Sequence, residues 1–223
     1  MGRVFHDEDL SSTDFAGAEL ADADFQRCLL AGASFRHCDL SGATFDRCRA
    51  LPPEGDGEGV DFSYANLREA RFEHCDLTMA VFVKASAYDL RLTHCHLQGA
   101  DFSGCDFCLP IRGASTLASF TMQGCNFAFG DLSNTFLKEC VLTDNRMIDV
   151  LANHCCLADA DLSGSDLNGL TGQGLDLSGA DLRRASFNTL DPRRVDLTGV
   201  RMGLAQGLQL LASLEIVIDP EAP

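Results

Sequence analysis

The chain has 223 residues, enough for one domain or two small ones, and its 46% hydrophobic content supplies a core, which argues against disorder. Seventeen Lys and Arg against 33 Asp and Glu give a formal charge of −16, the opposite of what capture of nucleic acid or an anionic membrane requires. No basic start leads into an apolar stretch and no run approaches the ~20 apolar residues of a membrane span, so a soluble cytoplasmic protein is expected. Eleven Cys without an export signal predict free thiols.

Along the chain a large apolar residue recurs every five positions: Phe5, Leu10, Phe15, Leu20 and onward to Phe45. The phase shifts after Ala50 and resumes from Phe62 to Phe107, then from Met122 to Met202. Neither an α-helix nor a flat strand has that period. The residue two before each such centre is small, as at Ala18, Ala23, Cys28, Ala33 and Cys38, and the residue between is most often Asp. In an extended stretch the pair two apart shares a face and points inward while the residue between points out. With two further residues turning a corner, five-residue sides close into a coil stacked on its neighbours, as in β-helical solenoids. One face exchanges sizes: Val150, Leu170 and Leu190 are large where the small residue belongs, and Ala152, Gly172 and Pro192 are poor centres. A leucine-rich horseshoe is the lesser alternative, since its unit does not repeat every five residues.

Nine of the Cys, including Cys28, Cys48, Cys75, Cys95 and Cys125, occupy the small inward slot, which reads as packing. The pairs His37–Cys38, His74–Cys75, His94–Cys95 and His154–Cys155 invite a metal site. An inward Cys beside a corner His cannot converge on one tetrahedral ion. No nucleophile motif, phosphate-binding glycine loop or carboxylate pair is present, and a packed rod interior leaves no pocket, so no catalytic residue, metal or cofactor is expected. Sixteen of the 33 acids sit just before a centre, a solvated exterior.

Residues 51–59 (LPPEGDGEG) carry two Pro and three Gly and predict a projecting loop. Residues 108–119 predict a second, because the register would bury Arg112 and put Pro110 in an inward slot. Two insertions in the first half suggest a functional edge. After Met202 the period ends, and Leu204, Leu208, Leu211 and Leu214 follow at helical spacing, then Ile216 and Ile218. These predict a short helix that caps the rod, with more apolar surface than one cap needs and hence a dimer. The expected organisation is a β-helix over 1–203 and a capping and dimerisation segment over 204–223.

The motif A-(D/N)-(L/F)-X-X, repeated over most of the chain, resembles that of the pentapeptide-repeat family, which implies an all-β, right-handed quadrilateral β-helix with four repeats per coil. The two loops, the run DLTMAVFVKASAYDLRLTHCHLQGADF at 76–102 and the terminal LLASLEIVI further resemble the Qnr proteins. That resemblance implies a non-enzymatic, homodimeric DNA mimic that protects bacterial DNA gyrase and topoisomerase IV from quinolones. The family's loops map onto Pro52, Pro53, Glu54, Asp56 and Glu58, and onto Leu109, Pro110, Ile111, Arg112, Ser115, Thr116 and Leu117. An acidic scaffold or immunity factor with another target is the alternative. Nine coils at ~4.8 Å give a rod on the order of 45 Å long. Its charge would then be about half as dense as that of duplex DNA.

Overall fold

The computed structural model describes residues 2–51, 58–110 and 116–216. They form a β-helix in which most residues pair with the residue 20 positions later, as in Asp9↔Leu29, Asp14↔Ser34 and Glu19↔Asp39. Four five-residue sides therefore make one coil, and centres run from Phe5 to Met202, nine coils and the start of a tenth. The first side carries strands β1 (Val4–His6), β2 (Asp24–Gln26), β3 (Thr44–Asp46), β4 (Arg71–Glu73), β5 (Leu90–Thr93) and β8 (Phe120–Gln123), a parallel sheet in that order. The second side is centred on Leu10, Leu30 and Ala50, the third on Phe15, Phe35 and Phe62, the fourth on Leu20, Leu40 and Leu67.

Most corners are turns whose second residue past the centre sits in the left-handed region, for instance Ser12 (φ 54) and Asp22 (φ 56). Non-glycine residues resist that conformation by about 1–2 kcal/mol. Here the stack imposes it, because the N–H of most such residues donates to the next coil, Ser12 to the Ala31 carbonyl and Asp22 to that of Ser41, both at 2.8 Å. The outward Asp has a structural role beyond solvation. Asp9, Asp39, Asp101 and Asp131 each accept the N–H two residues on, at 2.7–3.1 Å, satisfying a corner donor that the ladder leaves free.

Inside, Phe5, Phe25, Phe45 and Phe72 stack at 4.4–4.5 Å between ring centroids. Phe15, Phe35, Phe62, Phe82 and Phe102 form a second column at 4.3–5.1 Å, and the columns meet edge to face. Val150, Leu170 and Leu190 are buried, as the size exchange predicts.

The cysteines do more than fill space. At the corner after the first side, Leu162 and Leu182 accept turn hydrogen bonds from Ser165 and Ala185 N–H at 3.2 and 3.0 Å, but from Phe25 to Leu142 the centre's carbonyl is not closed by one. A slot side chain of the next coil donates to it instead: Cys48 Sγ to Phe25 and Cys75 Sγ to Phe45 at 3.3 Å, Cys95 Sγ to Phe72 at 3.4 Å. Asn145 Nδ2 to Met122 and Ser165 Oγ to Leu142, both 2.8 Å, make the same bond higher up. The column therefore requires a small donor, and the packing reading is incomplete at these positions. All described cysteines are free thiols.

Past the first interruption the pairing offset rises from 20 to 27, Ser34↔Asp61, so seven residues are inserted. Glu58 and Gly59 belong to the coil rather than to the loop: the Glu58 carbonyl accepts from Gly32 N–H at 2.8 Å. Past the second the offset is 30, Leu90↔Phe120, an insertion of ten. It projects as a hairpin of β6 (Cys108–Pro110) and β7 (Thr116–Ala118), antiparallel, with Leu109 opposite Leu117. After Met202 comes α1 (Leu204–Ser213). Its Gln206 accepts from Gly203 N–H and donates to the carbonyls of Leu182 and Ala185, all at 2.6 Å, and Gln209 donates to that of Phe187 at 2.7 Å. Two glutamines thus close carbonyls of the last full coil.

Candidate functional site

Folding the sequence onto four sides sorts its charge. The fourth side and the corner after it carry Glu19, Asp22, Asp39, Glu69, Asp89, Asp106, Glu139, Asp159, Asp176 and Asp196 against only Arg68 and Lys138. The first side and its corner are nearly balanced, with Asp7, Asp24, Asp46, Glu73, Asp144, Asp161 and Asp181 against Arg3, Arg27, Arg47, Arg71, Arg91, Arg183, Arg184 and Arg201. Ion pairs such as Arg27–Asp7 at 2.6 Å and Arg183–Asp181 at 2.6 Å hold the balance locally. An external field therefore comes mainly from the fourth side. Asp89 pairs with Arg91, and Glu139 and Asp159 share Lys138, but the acids in excess along this wall reinforce one another, which steers a basic partner.

The β6–β7 hairpin rises from the middle of this acidic strip, and acids fix its root. Asp106 Oδ1 accepts the Cys108 N–H and Asp89 Oδ1 accepts the Ser119 hydroxyl, each at 3.0 Å. Leu117 and Thr116 are exposed and Leu109 is half-buried. Directly above, the outward position that is Asp106 in one coil becomes Phe136 and then Cys156, so exposed Phe136 adds apolar surface beside the hairpin. That residue eluded the sequence reading. The signal was an apolar residue in the Asp position of the repeat.

Of the remaining loop residues singled out from sequence, Glu58 lies in the coil at the corner after the second side. Pro52, Pro53, Glu54, Asp56, Ile111, Arg112 and Ser115 lie outside the described residues, as does the Pro110 side chain. The two insertions do not share an edge. The first leaves after the second side and the hairpin after the fourth, diagonally opposite corners of the square, because each insertion can enter only at a corner.

At the far end Leu204 is 82% exposed, with Leu208 and Ile216 also exposed, while Leu211 and Leu214 are half-buried and Leu210 packs on the core. Ile218 lies outside the described residues. Among the described residues no three His, Cys, Asp or Glu are grouped to hold a metal, and no helix is long and apolar enough to cross a membrane. His74 and His94 do stack, at 5.4 Å, on adjacent coils. Burial pushes the Cys38 thiol up to about 11 and those of Cys140 and Cys155 to about 12, away from the thiolate that nucleophilic chemistry needs.

Residues 9–47, 58–89, 88–108 and 155–189 match the family profile described as pentapeptide repeats (8 copies). Over 89 residues the chain is 31% identical to pentapeptide repeat protein QnrB4 of Escherichia coli, an alignment that spans 40% of this chain and 41% of that relative's length. The structure resembles full-length QnrB1, described as a plasmid-mediated fluoroquinolone resistance protein, with a TM-score of 0.88 and 29% identity, covering 96% of this chain and 100% of that one. A trypsin-treated form of QnrB1 gives a TM-score of 0.78 at 30% identity, covering 98% of this chain and 100% of the other. The chain belongs to the pentapeptide-repeat family and is a Qnr-type member of it.

Proposed function

We propose that this protein protects bacterial type II topoisomerases, DNA gyrase and topoisomerase IV, from quinolones by binding them as a non-enzymatic mimic of DNA. The observation that carries this reading is the acidic fourth side with a hairpin at its centre, on a fold that matches a fluoroquinolone resistance protein from end to end. Carboxylates spaced along a rod present a basic DNA-binding groove with a field of the sign that duplex DNA presents. Charge governs approach, whereas Leu109, Leu117 and Phe136 supply the apolar contact that gives specificity. The exposed leucines of α1 join two rods end to end, since a helix with Leu204 and Leu208 outward leaves apolar area that a second copy would cover.

Binding to purified gyrase tests the reading. Affinity should fall steeply between 50 and 300 mM salt, on the order of the loss expected when several charge pairs are screened within about a 10 Å Debye length. Absence of binding at low salt contradicts it. Sedimentation of the L204D/L208D variant should give folded monomers, and an unchanged dimer overturns the end-to-end assembly.

A further inference from the structure

The ladder of this rod is continuous except in two places among the described residues, and the second has no insertion to explain it. On the third side, coil follows coil through Asp101↔Asp131, Asp131↔Leu151 and Leu151↔Thr171, and there the pairing stops: Thr171 has no partner in Asp191. One coil earlier, Ala152 N–H donates to the Thr171 carbonyl at 2.8 Å and His154 N–H to that of Gln173 at 2.7 Å. The corresponding donors one coil on, Gly172 N–H and Gly174 N–H, have no acceptor among the described residues. Residues from Asp191 instead wind into a tight turn, with Arg194 N–H at 2.9 Å and Val195 N–H at 3.1 Å from the Asp191 carbonyl. The Leu170 carbonyl, which would receive the missing strand, is taken by the Thr189 hydroxyl at 3.1 Å.

A cavity of about 540 Å³ fills the gap, lined by Leu170, Thr171, Gly172, Thr189, Asp191 and Arg194 among others. The cavity opens on the outer flank of the rod and not in its packed interior. The volume lies within the range of ordinary ligand sites. Its floor has no side chain at Gly172, where any Cβ would strike the Ala152 carbonyl. Gly172 and Gly174, the latter at the left-handed corner (φ 70), occupy the positions of Ala152 and His154, whose N–H groups both donate to the next coil, so the two free donors face the gap together. The charged lining residues are Asp191 and Arg194; Arg193, outside the lining, holds the Asp191 carboxylate at 2.9 Å, which leaves Arg194, at 3.9 Å, the more loosely paired cation at the mouth.

We propose that this gap binds a short extended peptide bearing an acidic side chain, which supplies the missing rung of the third side. The peptide's carbonyls accept from Gly172 and Gly174, and its carboxylate meets Arg194. Strand addition of this kind draws affinity from main-chain hydrogen bonds and selectivity from alternate side chains. The inference is independent of topoisomerase binding.

Backbone NMR of the full-length protein tests it, with the blocked tetrapeptide acetyl-Val-Glu-Val-Thr-amide as probe. In the free protein the amides of Gly172 and Gly174 should exchange with solvent at least about tenfold faster than those of Ala152 and His154. Peptide at millimolar concentration should shift the Gly172 and Gly174 resonances and slow their exchange, leaving Gly99 and Gly179 unmoved. The exposed substitution R194E should weaken the effect about tenfold, and the Val-Lys-Val-Thr analogue should bind the wild type less tightly than the Glu peptide. Protected Gly172 and Gly174 amides in the free protein overturn the proposal, as do peptide shifts that are absent or indifferent to R194E.

Discussion

The two insertions enter the rod in the same manner and leave it in different states. The seven residues added after Ala50 exit and return at one corner, and the rungs on either side, Leu29↔Arg49 and Ser34↔Asp61, stay closed. The ten added after Phe107 cost a rung, since Asp106 pairs with Ser86 below but not with Phe136 above. Ser119 N–H closes on the Phe107 carbonyl at 3.1 Å, one residue before the slot residue that the register calls for. That slot residue is Phe120 where most coils have Ala or Cys, and it packs on Phe107 at 4.5 Å with the rings tilted by 42°. The first corner therefore absorbs extra chain with its ladder intact, whereas at the second one rung stands open where Phe120 fills the slot.

The sharpest way to break this comparison is through the aromatic columns. Phe45, stacked between Phe25 and Phe72 in the coil that carries the first insertion, cannot be replaced without a cavity. F45A should cost about 3–5 kcal/mol in denaturant unfolding. F107A, beside the open rung, should cost about 1–2 kcal/mol less, because a site that can collapse loses less. Equal losses would mean that the rung is closed in solution.

Acid titration distinguishes the far end from both insertions. Asp181 is buried and its carboxyl is held down to about 2, first by its hydrogen bond to Arg183, with Arg201 adding to the field. A depressed carboxylate stabilises the fold above its unfolded pKa and loses that contribution as pH falls through the folded value. Stability from this group should be complete above about pH 4 and vanish near pH 2, at most about 2 kcal/mol. D181N should remove most of that acid sensitivity, and unfolding curves of the two proteins that stay parallel between pH 4 and pH 2 would refute the assignment.

A smaller effect tests the thiol column that spans the first insertion. C75A leaves the Phe45 carbonyl without its donor and should cost about 1 kcal/mol more than C140A, whose thiol makes only a long 3.7 Å contact within its own coil. C75S should be close to wild type, as Ser165 shows that a hydroxyl fits this position.

Most of the fold was legible because five-residue periodicity is a local signal, and each Phe or Leu centre reports its own side. The size exchange at Leu170 and Leu190 could be read for the same reason. The corner donors could not: whether Cys48 merely fills space depends on the Phe25 carbonyl, 23 positions earlier, being left open by its own turn. The open rung at Thr171 is hidden similarly, since Gly172 and Pro192 look like weak centres and not like the floor and rim of a cavity. The candidate contact site was half visible. The hairpin announces itself by a misplaced Arg112, while Phe136 beside it belongs to a repeat that looks ordinary until the coils are stacked.

Removing residues 109–118 joins Cys108 to Ser119 and restores the 20-residue offset, so the rod should keep its stability and the Asp106 rung should be free to close. Gyrase supercoiling in the presence of ciprofloxacin, measured with the intact protein and with this deletion, tests the central claim most directly. The intact protein should restore supercoiling and the deleted one should not, although it remains folded and acidic. Equal protection by both would remove the hairpin from the contact, and failure of the intact protein to protect or bind gyrase would contradict the account as a whole.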